Sequence, residues 1–232
     1  MTKIIYFLKN LLSFFYPRFC PCCHQAMQQN EHHLCISCLI HLPETDYHRN
    51  LQNPLSLIFT GRIPVEHVAA LLFYKKGNHV QKILHSLKYK GNQDLGVFLG
   101  CYYGRILAEE AIFDLVDFII PVPLHPQKQK ERGYNQSECI AKGLSREMHK
   151  PYYTDILIRI GFTGTQTNKD RIERWENVES VFEVTDQEKV KGKTILLCDD
   201  VLTTGATMEA AARPLLKCEN VKIYIVALAT AL

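Results

Sequence analysis

The sequence predicts an α/β fold, a mainly parallel sheet flanked by helices, and three observations carry that expectation. Short β-branched or aromatic runs alternate with longer helical patterns along most of the chain, which is how strand–helix–strand units are written. With 47% hydrophobic residues in 232, the chain has the material for a buried core and too little polarity for disorder. Nine cysteines are unevenly spread, five of them between Cys20 and Cys38, which marks a small N-terminal element apart from the α/β body.

Taken in order, residues 1–45 are expected to form an N-terminal helix followed by a four-cysteine zinc-binding element, and residues 46–232 the α/β domain. The opening MTKIIYFLKNLLSFFYP is apolar, but Lys9 and Asn10 interrupt it and no small-x-small cleavage site precedes Pro17. It is shorter than the ~20 residues that span a bilayer. A helix packed on the body through Ile4, Ile5, Phe7, Leu8, Leu11, Leu12, Phe14 and Phe15 is expected, an interfacial anchor being the alternative, with no membrane span and a cytoplasmic location. In that reducing compartment cysteines serve as thiols or metal ligands rather than disulfides.

CPCCHQ and CISC supply Cys20, Cys23, Cys35 and Cys38 as two Cys-x-x-Cys knuckles. Each knuckle brings two thiolates to one ion, and two knuckles close a tetrahedral structural Zn2+ site. Unused thiols, redox chemistry, or His24, His32 or His33 replacing one thiolate are the competing readings. Cys22 is the odd thiol. The following IHLPETDYHRNLQNP is polar and proline-punctuated, so a connector is expected there.

Beyond it, strands are expected at Val65–Tyr74, Val116–Pro121, Ile156–Ile160, Thr194–Cys198 and Lys222–Ala229. Helices are expected at Val80–Lys88, Asp94–Ala111, Gln136–His149 and Gly205–Cys218. In parallel sheets ligands bind at the carboxyl ends of strands, so the strand exits carry the functional weight.

ILLCDDVLTTGAT is such an exit. Asp199 and Asp200 are expected at the mouth of a buried strand. Leu202, Thr203, Thr204, Gly205, Ala206 and Thr207 then turn into a helix whose first amides form an anion cradle. The threonine hydroxyls suit phosphate oxygens. The carboxylates repel phosphate and need donors, which a ribose diol provides. One ligand with a 5-phosphate and free vicinal hydroxyls satisfies the whole stretch. Neither GxxxxGK[ST] nor a strand-linked GxGxxG is present, which excludes the commoner phosphate loops. The bland alternative is an acidic helix entry with threonines as turn formers.

A second strand exit, FIIPVPLHPQKQKERGYNQS, is stiffened by prolines and followed by a basic loop. Pro123, Leu124, His125, Lys128, Arg132 and Gly133 are candidates for a pyrophosphate-facing or flexible loop. Tyr134 is either a stacking platform or a core residue, and Asn135 or Ser137 can cap the next helix. A net charge of +3 and a pI near 8.3 neither establish nor exclude nucleic-acid binding.

The acid pair with Thr-Thr-Gly-x-Thr resembles the phosphoribosyl pyrophosphate (PRPP) motif of type I phosphoribosyltransferases. Arg132-Gly133-Tyr134-Asn135-Gln136 narrows this to a resemblance to the ComF family of competence-associated phosphoribosyltransferase-like proteins. LKYKG at 87–91 and TQTNKDRIERWENVESVF, with Gln166, Arg174, Asn177 and Phe182 in matching places, are similar too. The resemblance implies a type I phosphoribosyltransferase-like domain binding PRPP with Mg2+, plus structural Zn2+, in a protein of DNA uptake. It also implies single-stranded DNA and competence-machinery proteins as partners. The residues offered to DNA are Arg132, Tyr134, Arg171, Arg174 and Trp175, with Lys128 and Lys130 beside them. No base-reading hood is recognisable, so PRPP binding is better supported than transfer and no catalytic residue is named. The alternatives are a PRPP-dependent glycosyltransferase of nucleotide metabolism and a PRPP sensor without turnover.

Overall fold

The computed structural model describes residues 18–89, 91–160 and 181–231. The N-terminal helix expected before Pro17, and Gln166, Arg171, Arg174, Trp175 and Asn177, lie outside them. The helices are α1 (Ile36–Ile40), α2 (Pro54–Leu57), α3 (His79–Tyr89), α4 (Gln93–Ala108), α5 (Pro126–Arg132), α6 (Gln136–Met148), α7 (Gln187–Val190) and α8 (Ala206–Leu216). The strands are β1 (His67–Phe73), β2 (Phe118–Pro121), β3 (Leu157–Arg159), β4 (Phe182–Val184), β5 (Thr194–Leu202) and β6 (Lys222–Thr230).

Four strands form one all-parallel sheet in the order β1-β6-β5-β2. Successive side chains point to opposite faces of a strand, and here both faces are apolar. Ala69, Leu71, Ile119, Leu196, Cys198, Tyr224 and Val226 join the core that includes α3, α4 and α6. Val68, Ala70, Phe118, Ile120, Ile195, Leu197, Ile223 and Ile225 join the core that includes α2 and α8. Burial on both sides is what a parallel sheet with crossover helices requires.

Among the described residues the expected strands and helices of the α/β body are present, with three differences. The segment Ile156–Ile160 supplies β3, but β3 pairs antiparallel with β4 outside the main sheet. The parallel edge beyond β2 is filled earlier, where Ile119 donates to Pro151 O and Tyr153 donates to Ile119 O, and the chain then leaves the sheet. The stretch expected as a connector is instead fastened to β1. Thr45 N donates to Leu71 O at 2.9 Å and Phe73 N to Pro43 O at 2.8 Å. Asn53 is buried and its amide reaches Val68 O at 2.7 Å. The basic segment expected as a loop is α5, started by Pro126 and closed by Gly133 at φ 79°.

Helices α4 and α6 touch along glycines. A Cβ on Gly100 would lie 2.3 Å from Ile140 O, and one on Gly143 would lie 2.3 Å from Val97 O. Bare backbone on both helices therefore sets their separation, and with it the position of the α6 N-terminus. The cysteine element shares this core: Cys20, Cys22, Leu34, Cys35 and Cys38 belong to the same buried cluster as Leu95 and Leu99 of α4.

Candidate functional site

The expectation that β5 ends at Cys198 is corrected, because β6 is equally long and pairs with β5 as far as Leu202↔Thr230. On its other side β5 loses its neighbour sooner. The last β2 pair is Pro121↔Cys198, followed by Val122 N to Cys198 O at 2.9 Å. Asp199 and Asp200 thus lie within the strand, where one flank has just opened. The space there is a cleft of about 500 Å³ lined by Tyr74, Gln81, His85, Lys88, Tyr89, Asp199, Asp200, Thr203 and Thr207, among others.

The two acids differ. Asp199 accepts from Ser137 Oγ at 2.7 Å and from the Asp200 amide at 2.8 Å. Burial, reinforced by the neighbouring Asp200 charge, pushes its carboxyl up to about 7. Asp200 pairs with the Lys88 ammonium at 3.0 Å. Two carboxylates side by side are costly unless one is neutral or both find donors, and this arrangement uses a hydroxyl, an amide and a cation.

The phosphate loop is Thr203–Gly205 leading into α8. Gly205 has φ 76°, and a Cβ there would lie 2.7 Å from Ile58 Cγ2, so only glycine fits. The N-cap, Gly205, has no side chain to offer this end of α8; Ala206 N reaches Thr204 Oγ1 at a long 3.5 Å, and the first-turn amides are otherwise placed to meet a ligand. Thr203 and Thr207 line the cleft, Thr204 and Ala206 are exposed, and Leu202 is buried beneath. Arg62 holds the loop from outside, donating to Thr204 O at 2.9 Å and pairing with Glu209.

Arg132-Gly133-Tyr134-Asn135-Gln136 is the joint between two helices. Gly133 ends α5 in the left-handed region, and Asn135 caps α6 by accepting from Ser137 N. Tyr134 is buried and donates its hydroxyl to Leu87 O. Of the two readings of Tyr134 the core one holds, and the ring offers no open face to a base. Leu87 precedes Lys88 and Tyr89, so this contact sets the far wall of the cleft. Arg132 stacks over the Tyr89 ring at 5.5 Å and donates to Gln136 Oε1 at 2.7 Å.

Pro123, Leu124, His125, Lys128, Arg132 and Gly133 are not among the residues that line the cleft, and Arg132 touches it only through the Tyr89 ring. His125 caps α5 by accepting from Gln127 N, and Lys128 and Lys130 are exposed on α5. Gly133 and Tyr134 border a separate polar depression of about 340 Å³ with Asp94 and Glu138. Lys88, Ser137 and Tyr89 were not assigned to the site from sequence; for Lys88 the available signal was LKYKG.

The four knuckle cysteines converge with all sulfurs within 4.8 Å of one another. Tetrahedral Zn2+ with Zn–S of ~2.3 Å sets sulfurs about 3.8 Å apart, and Cys23 Sγ to Cys35 Sγ is 3.7 Å. The donor set and spacing fit such an ion. Burial raises the Cys20 thiol, but the Cys35, Cys23 and Cys22 amides outweigh it and bring it down to about 7. Glu31 braces the loop between knuckles, accepting from Gln28 N and Ile36 N at 2.7 Å each.

Residues 135–232 match the phosphoribosyl transferase domain family, a span holding α6, both acids, the phosphate loop and β6. Competence protein F of Haemophilus influenzae is 33% identical over 118 residues, 50% of this chain and 52% of that protein. Competence protein ComFC of Bacillus subtilis is 38% identical over 99 residues, 43% of this chain and 38% of that protein. Over these spans the chain is similar to competence proteins of the ComF kind. DNA utilization protein YhgH of Escherichia coli O157:H7 is 30% identical over 142 residues, 58% of this chain and 60% of that protein. The chain spans about half the length of these curated relatives. Among its described residues no helix is long and apolar enough to cross a membrane.

Proposed function

We propose that this ComF-like chain binds a phosphoribosyl ligand, PRPP with Mg2+ above all, in the β5 cleft. The observation that carries the reading is the convergence of an acid pair and the glycine-started N-terminus of α8 on one cleft at the carboxyl end of a parallel strand. Thr203, Thr204, Thr207 and the first amides of α8 receive the 5-phosphate. Asp199 and Asp200 accept from the ribose hydroxyls, and Lys88 and Arg132 supply positive charge for the pyrophosphate. Mg2+, when bound, neutralises part of the pyrophosphate charge. Calorimetry with PRPP and Mg2+, and with ribose 5-phosphate, tests the reading. Binding that weakens in Asp199→Asn/Asp200→Asn supports it, and unchanged affinity in that variant refutes it.

The biological setting proposed is DNA uptake, in the cytoplasm, with competence-machinery proteins and single-stranded DNA as partners. The names of the relatives, competence proteins and a DNA utilization protein, support it. Lys128, Lys130 and Arg132 on or at the end of α5 are the described basic groups offered to DNA; Arg171, Arg174 and Trp175 are proposed from the sequence. Transfer from PRPP is the second reading, favoured by His85, whose ring lies among the cleft residues. Sustained pyrophosphate release with a nucleobase or amine acceptor separates an enzyme from a sensor.

A further inference from the structure

Cys22 stands outside both Cys-x-x-Cys pairs, yet it is fully buried. Its sulfur, the sulfur of Cys38 and a ring nitrogen of His79 lie within 4.8 Å of one another. Cys38 is at the same time a member of the four-thiol cluster, so the two donor groups meet at one shared sulfur. Cys22 Sγ also sits 3.9 Å from His79 O, which places the thiol over the first residue of α3.

We infer that Cys22, Cys38 and His79 form a second thiophilic-metal site, and that the cysteine element holds two ions bridged by the Cys38 thiolate. Two thiolates and an imidazole are the donor set of Zn2+, not of Mg2+ or Ca2+, which take oxygen. Three protein ligands leave the fourth position of a tetrahedral ion to water, unlike the closed four-cysteine centre. Binding deprotonates Cys22 and releases that proton to solvent. Five thiolate charges then offset the four positive charges of two divalent ions with one negative charge in excess, and the buried odd thiol gains a metal bond. His79 is exposed and Cys22 is buried, so the ion enters from the His79 side.

The second ion has a structural consequence. His79 opens α3, and Gln81, Leu84, His85 and Lys88 farther along that helix line the β5 cleft. A metal bond at His79 fastens the start of α3 to the cysteine element, beside the weak contact of Cys22 with His79 O.

Native mass spectrometry of the full chain titrated with Zn2+ tests this directly. Wild type is expected to saturate at two ions, and Cys22→Ser and His79→Ala at one. His79 is an exposed side chain, so His79→Ala keeps the test valid should Cys22→Ser fail to fold. On wild-type protein loaded with 113Cd, two resonances coupled through a shared sulfur are expected. Saturation of wild type at one ion overturns the inference, as does a second ion retained in His79→Ala.

Discussion

Lys88 places its ammonium nitrogen 3.0 Å from Oδ2 of Asp200, with both side chains largely out of solvent. The cation comes from the last turn of α3, and its position is fixed one residue away, where Leu87 O accepts from Tyr134. A ribose diol that bonds to Asp200 takes over what Lys88 now provides, freeing the ammonium for the pyrophosphate of the same ligand. Lys88→Met is therefore expected to weaken PRPP by about tenfold or more, the scale of a lost charged hydrogen bond of ~1.5–3 kcal/mol. Ribose 5-phosphate, which lacks the pyrophosphate, should lose much less. Equal losses for both ligands in calorimetry would contradict this exchange of partners.

The α4–α6 contact makes a stability test that also reports on the site. Gly100→Ala pushes a methyl group to 2.3 Å from Ile140 O, so the helices must part. Overpacking of this kind costs ~1–3 kcal/mol, read as a lower urea midpoint. Because α6 carries Ser137, whose hydroxyl donates to Asp199, PRPP affinity should fall in the same variant. A shift in midpoint with affinity intact would show that α6 adjusts without moving its N-terminus.

Much of this was legible in the sequence. Strand periodicity located all four parallel strands, and the cysteine spacing located a cluster whose sulfurs do converge. The length of β5 was not legible, because it depends on how far β6 pairs beside it, a tertiary fact. The role of Tyr134 was not legible either: whether an aromatic is core or platform depends on which backbone carbonyl its hydroxyl meets, here 47 residues away in sequence. Lys88 escaped for the same reason, since its partner Asp200 belongs to a distant strand. Lys128 and Lys130 drew attention by charge density alone, and the structure places them on an exposed helix instead.

Metal removal should not melt the cysteine element by itself. Cys20, Cys22, Cys35 and Cys38 are packed into the same buried cluster as Leu95, Leu99 and Leu144, and Pro43 and Thr45 just beyond are bonded to β1. Structural zinc binding is folding free energy wherever the site is absent from the unfolded chain. Chelation, or Cys35→Ser, is expected to lower the melting temperature of the whole domain in one transition. A separate early transition in calorimetry, leaving the main one in place, would show that the element is energetically independent.

Asp199 and the buried pair His48 and His67 give the stability opposite slopes with pH. Burial and then the Asp200 charge raise the Asp199 carboxyl from 3.8 to about 7, so folding favours its protonated form. That contribution is fully present below the unfolded value near ~3.9 and is lost as pH rises through about 7. Burial lowers both histidines. His67 bonds to His48 O through Nε2 at 3.2 Å, and its Nδ1 has no hydrogen-bond partner among the described residues. Their contribution is present above the unfolded value near ~6.5 and is lost as pH falls below it. Asp199→Asn is expected to remove the decline between pH 4 and 7, set by those two Asp199 values, leaving stability that rises with pH. His67→Phe is expected to do the reverse. Ligand binding separates the groups further. A ribose hydroxyl bonds more strongly to an ionised carboxylate than to a neutral carboxyl, so PRPP affinity should increase as pH rises through about 7, the Asp199 value. The phosphate group itself titrates near ~6, so the comparison that decides is between proteins at each pH. The wild-type increase should exceed that of Asp199→Asn, while His67→Phe should follow wild type. Parallel pH profiles for wild type and Asp199→Asn would place the ribose elsewhere than on Asp199.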